Sequence, residues 1–216
     1  MSQNLLDLLS PPKPASERIF GVVSGIVTNN QDPDKLGRVK VRFPWLSESD
    51  ESWWARVVAP MAGKGRGTYF LPEVDDEVLV AFEHGDVRFP YVLGALWNGT
   101  DNPPVPDNAD GKNNVRVIQS RSGHVIRLDD SDGAGKVEVI DSTGKNRVVI
   151  DSAAKTLTLQ ADGDVTIESA NGKVVLKGAS VEVRSTSQGV TVEAAGNMDL
   201  KAGPQLNVKG GVVNIN

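Results

Sequence analysis

Residues 160–185 read QADGDVTIESANGKVVLKGASVEVRS, and this stretch decides the fold. Two apolar residues one position apart, such as Val165 and Ile167, are followed by a short polar turn and then by the next pair. Apolar residues at every second position are typical of a β-strand with one buried face. The pattern therefore predicts a series of short strands joined by tight turns.

The same pair recurs in both directions from this stretch, from Val115 to the last residue. Successive pairs start eleven residues apart as far as Val148 and seven to nine residues apart beyond it. A short, regular period predicts a repeating β-structure rather than a globular core. The pairs before Val148 are Val115/Val117, Ile126/Leu128 and Val137/Val139. The residues that we expect to form the interior of this β-helix are Val148, Ile150, Leu157, Leu159, Val165, Ile167, Val174, Leu176, Val181, Val183, Val190, Val192, Met198, Leu200, Leu206 and Val208.

Two arrangements could give such thin strands enough neighbours. One chain could coil alone with three units per turn, or three chains could wind together around a shared axis. The second arrangement pairs every lateral strand edge with a sister strand, which removes an aggregation hazard. Identical chains normally assemble with closed symmetry, which a trimer provides. The residues favour the trimer and leave the single-chain solenoid open.

The segment 18–99 has a different texture, with about five apolar-rich strands. In Arg38–Phe43, the side chains of Val39, Val41 and Phe43 should share one face and the three basic residues the other. Five strands in this length predict a small closed barrel, and an OB-fold is the simplest choice. All four tryptophans lie in this segment, so we expect them to contribute to its core.

The predicted organisation has four parts. They are a tail (1–17), an OB-fold domain (18–99), a linker (100–114) and the β-helix (115–216). The tail carries four leucines, followed by Pro11, Pro12 and Pro14, and is either a frayed terminus or a small apolar anchor that contacts a partner. The leucines are Leu5, Leu6, Leu8 and Leu9.

Composition excludes several classes of function. The net charge is −5, and residues 18–100 hold nine Lys and Arg against eleven Asp and Glu, so phosphate backbones find no basic surface. No cysteine is present, which rules out disulfides and thiolate metal sites. The start of the sequence lacks the pattern of a Sec signal peptide. We expect no nucleic-acid binding and no cofactor.

Three candidate chemical sites have simpler structural explanations. The run Asp75-Asp76-Glu77 lies in a predicted turn, which offers no cleft for acid–base catalysis. His124 follows a glycine at a turn and has no catalytic partner nearby in the sequence. The glycines between Gly63 and Gly67 lack the order of a phosphate-binding loop. We therefore expect a protein that is not an enzyme.

Three motifs carry a resemblance to a known family. They are DPDKLGRVKVRFPW (32–45), PEVDDEVLVAFEHGD (72–86) and SRSGH (120–124), with the repeats behind them. In these the chain resembles the spike proteins of contractile injection machines, the VgrG proteins of type VI secretion and the phage baseplate assembly protein V group. The resemblance implies an all-β fold, an N-terminal OB-fold barrel followed by an intertwined trimeric (triple-stranded) β-helix. It also implies a homotrimer that pierces a target membrane mechanically when a sheath contracts.

The resemblance carries expectations about partners as well. The chain shows 17 residues where VgrG proteins carry a hub domain, so we expect a separate hub protein, with the four leucines as a contact. The linker has no room for the lysozyme module that some phage spikes carry, and the His-x-His iron site of others is missing from the end of the chain. Instead, we expect a PAAR-type tip protein to dock on the last residues, and effector cargo is a further expected partner. The expected docking residues are Val212, Val213, Ile215 and Asn216.

The expected location is a phage tail or phage tail-like particle assembled in the cytoplasm. The alternative hypothesis is a β-helical carbohydrate-active tailspike enzyme or an adhesin, which would require paired carboxylates in a groove.

Overall fold

A computed structural model describes residues 18–105 and 108–215 of the chain. Regular structure among these residues is all β apart from one 3-10 turn, Glu83–Gly85. The chain divides into two units, residues 1–162 and residues 163–216, and each is described by itself. The strands of the first unit are β1 (Val22–Asn29), β2 (Arg38–Arg42), β3 (Ala55–Val57), β4 (Ala62–Gly63), β5 (Arg66–Gly67), β6 (Glu77–Phe82), β7 (Pro90–Ala95), β8 (Val115–Gln119), β9 (Val125–Asp129), β10 (Lys136–Ile140), β11 (Arg147–Asp151) and β12 (Thr156–Gln160).

Five strands close into a barrel in the order β1-β2-β3-β7-β6. The pairing of β3 with β7 is parallel, and the other pairings are antiparallel. Strands β4 and β5 form a separate hairpin whose turn is Lys64-Gly65. A five-stranded barrel of this kind is the OB-fold architecture, so the prediction made for this segment is confirmed.

The barrel core follows from the alternation in β2. Val39 and Val41 are fully buried and Phe43 is nearly so, while the basic residues between them are partly exposed. This confirms the predicted faces of the strand. The buried core residues are Val27, Val39, Val41, Phe43, Ala55, Val78, Val80, Phe82 and Val92.

The expectation that the tryptophans build this core is wrong. Trp45, Trp53 and Trp97 are exposed, and Trp54 is partly buried on the outer surface beside Arg38 and Lys40. Valine and phenylalanine fill the small barrel instead, because its interior has room for short side chains from each strand. The indole rings are therefore available on the surface for contacts with other groups.

Strands β8 to β12 form a five-stranded antiparallel sheet in chain order. Val139 pairs with Ile126 on one side and with Val148 on the other, which lines up the apolar residues of neighbouring strands. One face of the sheet therefore carries Ile118, Ile126, Leu128, Val137, Val139, Val148, Ile150, Leu157 and Leu159.

The register corrects the prediction for β8. Val115 and Val117 pair with Asp129 and Arg127, so they lie on the opposite face from Ile118. Strand β8 has apolar residues on both of its faces, Val115 and Val117 on one and Ile118 on the other. The turn after the strand determines which of the two faces lines up with the apolar residues of β9. In that turn the backbone N–H of Ser120 donates to the carbonyl of His124 at 2.9 Å, which fixes the register.

The second unit shows the eight-residue repeat directly. Its described residues, 163–215, contain no strand or helix, and bends recur at 170–172, 178–179, 186–188, 195–196, 203–204 and 211–212. Within this range no backbone hydrogen bond joins one segment to another, and every residue is exposed. Among the described residues of the unit, only Gln188 has a side-chain partner for its backbone groups, the Ser185 hydroxyl, and no ladder of backbone hydrogen bonds forms.

Among the described residues, no helix has the length and apolar character needed to cross a membrane.

Candidate assembly surfaces

The loop between β1 and β2 is organised by Asp32. Its carboxylate accepts two hydrogen bonds from the Arg38 guanidinium, at 2.9 Å from Nε and 2.7 Å from Nη2. It also accepts backbone N–H groups of Asp34 and Leu36 at 3.1 and 2.9 Å. The side chain of Asp32 is only 3% exposed. These bonds give a structural reason for the aspartate and the arginine of the 32–45 motif, which lie six residues apart on either side of a turn.

This pairing shifts both ionisation equilibria. The hydrogen bonds from the Arg38 side chain hold the pKa of Asp32 well below its usual range, against the opposing effect of burial. The same contact raises the pKa of Arg38. The loop therefore contains an ion pair that is charged at neutral pH and serves structure, because both groups already have partners.

The run of acidic residues 75–77 forms a structured turn. Asp75 has a positive φ of 78°, and Asp76 accepts the backbone N–H of Glu73 at 2.8 Å through its carboxylate. Within residues 18–105 and 108–215, no group of three or more His, Asp or Glu side chains is placed to hold a metal ion.

The SRSGH motif is the β8–β9 turn, and it contacts two other parts of the first unit. Arg121 Nη1 lies 2.7 Å from Glu73 Oε2, which joins the sheet to the barrel. His124 Nδ1 accepts the backbone N–H of Ser142 at 3.1 Å, which joins this turn to the β10–β11 turn. Both residues therefore have structural roles among the described residues, as expected for His124.

The β10–β11 turn depends on Asp141 in turn. Partial desolvation raises the pKa of Asp141, but hydrogen bonds from Thr143 and Asn146 outweigh it and lower the pKa to about 2. The shortest of these bonds, from Thr143 Oγ1 and Asn146 Nδ2, are both 2.8 Å. The carboxylate therefore organises this longer turn together with Gly144, which has a positive φ of 73°.

The apolar face of the β8–β12 sheet is uncovered in the single chain. Its nine residues, from Ile118 to Leu159, are between 37% and 71% exposed. A contiguous apolar surface of this kind on a soluble domain marks an interaction site. Four of the predicted interior residues lie together on this face. They are Val148, Ile150, Leu157 and Leu159.

The opposite face of the sheet is charged. Arg127 lies 2.9 Å from Asp129 in its own strand and 3.9 Å from Glu138 opposite it, and Lys136 lies 3.6 Å from Asp151, directly opposite it in the neighbouring strand. Charged pairs of this kind, two of them cross-strand, suit a face in contact with water. The sheet is thus two-sided. The face with the nine apolar residues needs a covering partner, and Arg116, which pairs with Leu128 in the edge strand β8, is the charged exception on it.

In the second unit, the two residues of each apolar pair differ in their exposed fraction. In each pair the first residue is less exposed than the second, as with Val174 at 54% and Leu176 at 71%. The same order holds for the pair Val213 and Ile215, at 47% and 89%. The remaining predicted interior residues of this unit are all exposed as well. They are Val165, Ile167, Val181, Val183, Val190, Val192, Met198, Leu200, Leu206 and Val208.

The predicted docking residues at the two chain ends are described in part. Val212 is also exposed, at the start of the final segment. Asn216 and the four leucines Leu5, Leu6, Leu8 and Leu9 lie outside the described residues. Their roles stay predictions.

Sequence reasoning missed two features of these surfaces. Ile118 belongs to the apolar face, but its strand offers no signal that separates it from Val117. The contact between Glu73 and Arg121 joins residues 48 positions apart, which local patterns do not reveal. The pairing of Asp32 with Arg38 could have been found, because aspartate before a turn commonly accepts nearby backbone N–H groups.

The barrel defines an OB-type domain within an all-β chain, and comparisons with known proteins assign it further. Residues 23–97 match the family model described as the type VI secretion system/phage-baseplate injector OB domain. Three similar proteins are type VI secretion system spike proteins. VgrG1a of Pseudomonas aeruginosa is 30% identical over 56% of this chain and 20% of its own length. VgrG4b of the same organism is 30% identical over 74% of this chain and 19% of its own, and VgrG3 of Vibrio cholerae is 31% identical over 66% and 13%.

This chain is therefore VgrG-like, with an injector-type OB domain, as its motifs predict. It spans about a fifth or less of the length of the curated relatives it matches.

Proposed function

We propose that this protein is the structural central spike at the end of a contractile tail or injection tube. The observation that carries the proposal is the uncovered apolar face within residues 118–159. The repeats that follow in the sequence, residues 163–215, also lack backbone hydrogen bonds between their segments. A covering partner must supply both apolar contacts and backbone hydrogen bonds. The similarity to spike proteins supports two further copies of this chain as that partner.

In the proposed homotrimer, each chain contributes one face of a triple-stranded β-helix. The sixteen predicted interior residues from Val148 to Val208 point to the shared axis, and the charged faces remain in water. Inter-chain pairing would satisfy the backbone groups that the single chain leaves without partners. A continuous ladder of this kind gives the stiffness that puncturing a target membrane requires.

The proposed protein acts mechanically and is not an enzyme. A glycan-cleaving tailspike needs two carboxylates about 5–5.5 Å or 6.5–9.5 Å apart in a groove. Here Glu182 pairs with Arg184, and Asp199 pairs with Lys201 at 3.5 Å. Carboxylates paired singly with basic neighbours suit a solvated surface better than a catalytic groove.

The partners follow from the two ends of the proposed spike. A PAAR-type tip protein would cover the apolar side chains of Val212, Val213 and Ile215, with Asn216 beside them. A separate hub protein would hold the barrel end, with Leu5, Leu6, Leu8 and Leu9 as one contact, and effector cargo could travel on the same assembly. We place the protein in a phage tail or phage tail-like particle assembled in the cytoplasm.

Light scattering coupled to size-exclusion chromatography tests the central proposal. The purified chain should have three times the 23.0 kDa mass of one copy at micromolar concentration. A monomer under these conditions would contradict the proposal. Turnover of peptidoglycan or surface polysaccharide by the pure trimer would contradict the absence of enzymatic activity.

A further inference from the structure

An aromatic cleft opens on the barrel between the end of β2 and the start of β3. Its volume is about 180 Å³, and its walls include Phe43, Trp45, Leu46, Trp53 and Phe82. The ring centroids of Phe43 and Trp45 are 6.2 Å apart, and those of Phe43 and Phe82 are 5.7 Å apart. The cleft therefore reaches from exposed indole rings down to the phenylalanines of the core.

The exposed walls of the cleft are unusual for a free surface. Trp45, Leu46 and Trp53 are 52%, 63% and 67% exposed, and they lie close together on one loop. Large apolar side chains grouped at a concave site indicate a binding site for an apolar group. The cleft does not belong to the β8–β12 face, so the proposed trimer interior does not account for it.

Ile19 shows which part of the chain lies nearest to the cleft. Ile19 lines the cleft, and its backbone N–H donates to the carbonyl of Gly85 at 2.9 Å, which fixes where the preceding chain enters. The described part of the chain thus starts one residue before a residue that lines the cleft. An extended chain of about 3.1 Å per residue gives the stretch from Arg18 back to Leu9 a reach of about 28 Å, which is long enough for it to fold back onto a cleft beside Ile19.

From this placement we infer that the leucine segment 5–9 binds in the aromatic cleft of its own chain. The segment supplies four leucines within five positions, whereas the neighbouring residues 10–17 are polar or proline apart from Ala15. A tethered segment competes at an effective concentration in the millimolar range, which a free partner protein does not reach. Prolines 11, 12 and 14 restrict the linker and lower the entropy lost on docking.

The inference does not rest on the proposed spike function, because the contact lies within one chain. It does change the expected order of assembly. A hub that uses the same leucines must first displace them from the cleft, and the cleft is then free to receive an apolar group from that hub.

Fluorescence quenching within the full-length protein tests the inference. The chain holds no cysteine, so Asn4→Cys gives a single site for a quenching label beside Leu5. Trp54→Phe and Trp97→Phe leave Trp45 and Trp53, both in the cleft, as the reporters. We expect the label to quench their emission, and we expect this quenching to be lost when the four leucines are changed to serine in the labelled protein.

Two controls make the result specific. Leu36→Ser removes an exposed leucine that does not line the cleft and should leave the quenching unchanged. Leu46→Asp alters the cleft wall and should reduce quenching while circular dichroism stays unchanged. Equal quenching with leucines and with serines, or no quenching in either protein, would overturn the inference. Light scattering on the same samples reports separately on the trimer.

Discussion

Asp32 shows how one residue shapes the motif at residues 32–45. It is almost fully buried by its own loop, and its carboxylate satisfies both the Arg38 side chain and several backbone N–H groups. Arg38 in turn starts the strand whose alternation builds the barrel core. The motif therefore couples the closing of a loop to the correct register of β2 with β1.

Replacing Asp32 with asparagine should destabilise the barrel. We expect the free energy of unfolding to fall by about 2–3 kcal/mol, below the usual cost of breaking a buried pair because Arg38 is partly hydrated and keeps Asp34. Thermal or denaturant unfolding measures the change. Asp34→Asn is the matched control, since Asp34 is 67% exposed and should cost far less. Equal losses for both variants would contradict this role.

The same residue predicts a pH dependence. The pKa of Asp32 is lowered on folding, so its contribution to stability is complete above the unfolded value of about 3.9 and is lost as pH falls below it. The wild-type protein should therefore lose stability more steeply than Asp32→Asn as the pH falls below about 4. Unfolding curves recorded across this range test the difference. Parallel pH profiles would show that the pair does not contribute in this way.

At the scale of the element, the β8–β12 sheet separates its two faces with unusual clarity. Neighbouring strands align their apolar side chains on one face and their charged pairs on the other. The covered face in the proposed trimer is the one with the nine apolar residues, which carries Arg116 only at its β8 edge, beside Asp130. Substitutions at two adjacent residues of one strand therefore affect opposite faces, and their effects on trimer formation can be compared.

Val148 and Val149 provide such a comparison in β11. Val148 pairs with Val139 and Leu159 on the apolar face, and Val149 pairs with Glu138 and Thr158 on the other. Val148→Asp should prevent or weaken trimer formation, because it would bury a charge against apolar neighbours. Val149→Asp should leave the mass measured by light scattering unchanged. Identical behaviour of the two variants would remove the apolar face as the interface.

A second pair extends the comparison to the repeats. Val174 is the first residue of a predicted interior pair, whereas Val175 lies between the pair positions and is 72% exposed. We expect Val174→Asp to lower the melting temperature of the assembled protein more than Val175→Asp does. Calorimetry of both variants measures the difference. A larger loss for Val175→Asp would contradict the prediction that Val174 faces the interior.

At the scale of the whole molecule, the barrel and the last described residues expose different apolar surfaces. The barrel has an aromatic cleft, and residues 212–215 present exposed valine and isoleucine. We propose a separate partner for each surface, a hub protein for the barrel once the leucine segment has left the cleft, and a tip protein for the final repeat.

Val213→Asp combined with Ile215→Asp should abolish binding of the tip protein. Charges at these positions would have to be desolvated against an apolar partner, which costs more than the contact contributes. A pull-down with the purified tip protein measures binding, and light scattering should still report the trimer. Asn214→Asp adds a charge between the two positions and serves as the control, with binding retained. Tip binding by the double variant would refute this docking surface.

The repeat, the two faces of β2 and the barrel were open to prediction from the sequence alone. All three depend on the alternation of side chains along an extended backbone, which any few consecutive residues already display. The bends every eight residues in 163–215 follow the predicted turns for the same reason. The motifs at 32–45, 72–86 and 120–124 predicted the VgrG-like relationship in addition.

Only the tertiary structure decided the register of β8, the exposure of the tryptophans, the contact between Glu73 and Arg121 and the cleft beside Ile19. Val117 and Ile118 are equally suited to an apolar face, and the closing of a turn chose between them. Tryptophan is apolar enough for a core, but the width of the barrel excluded it. These outcomes depend on contacts between residues far apart in the chain, and packing geometry determines such contacts where local periodicity does not.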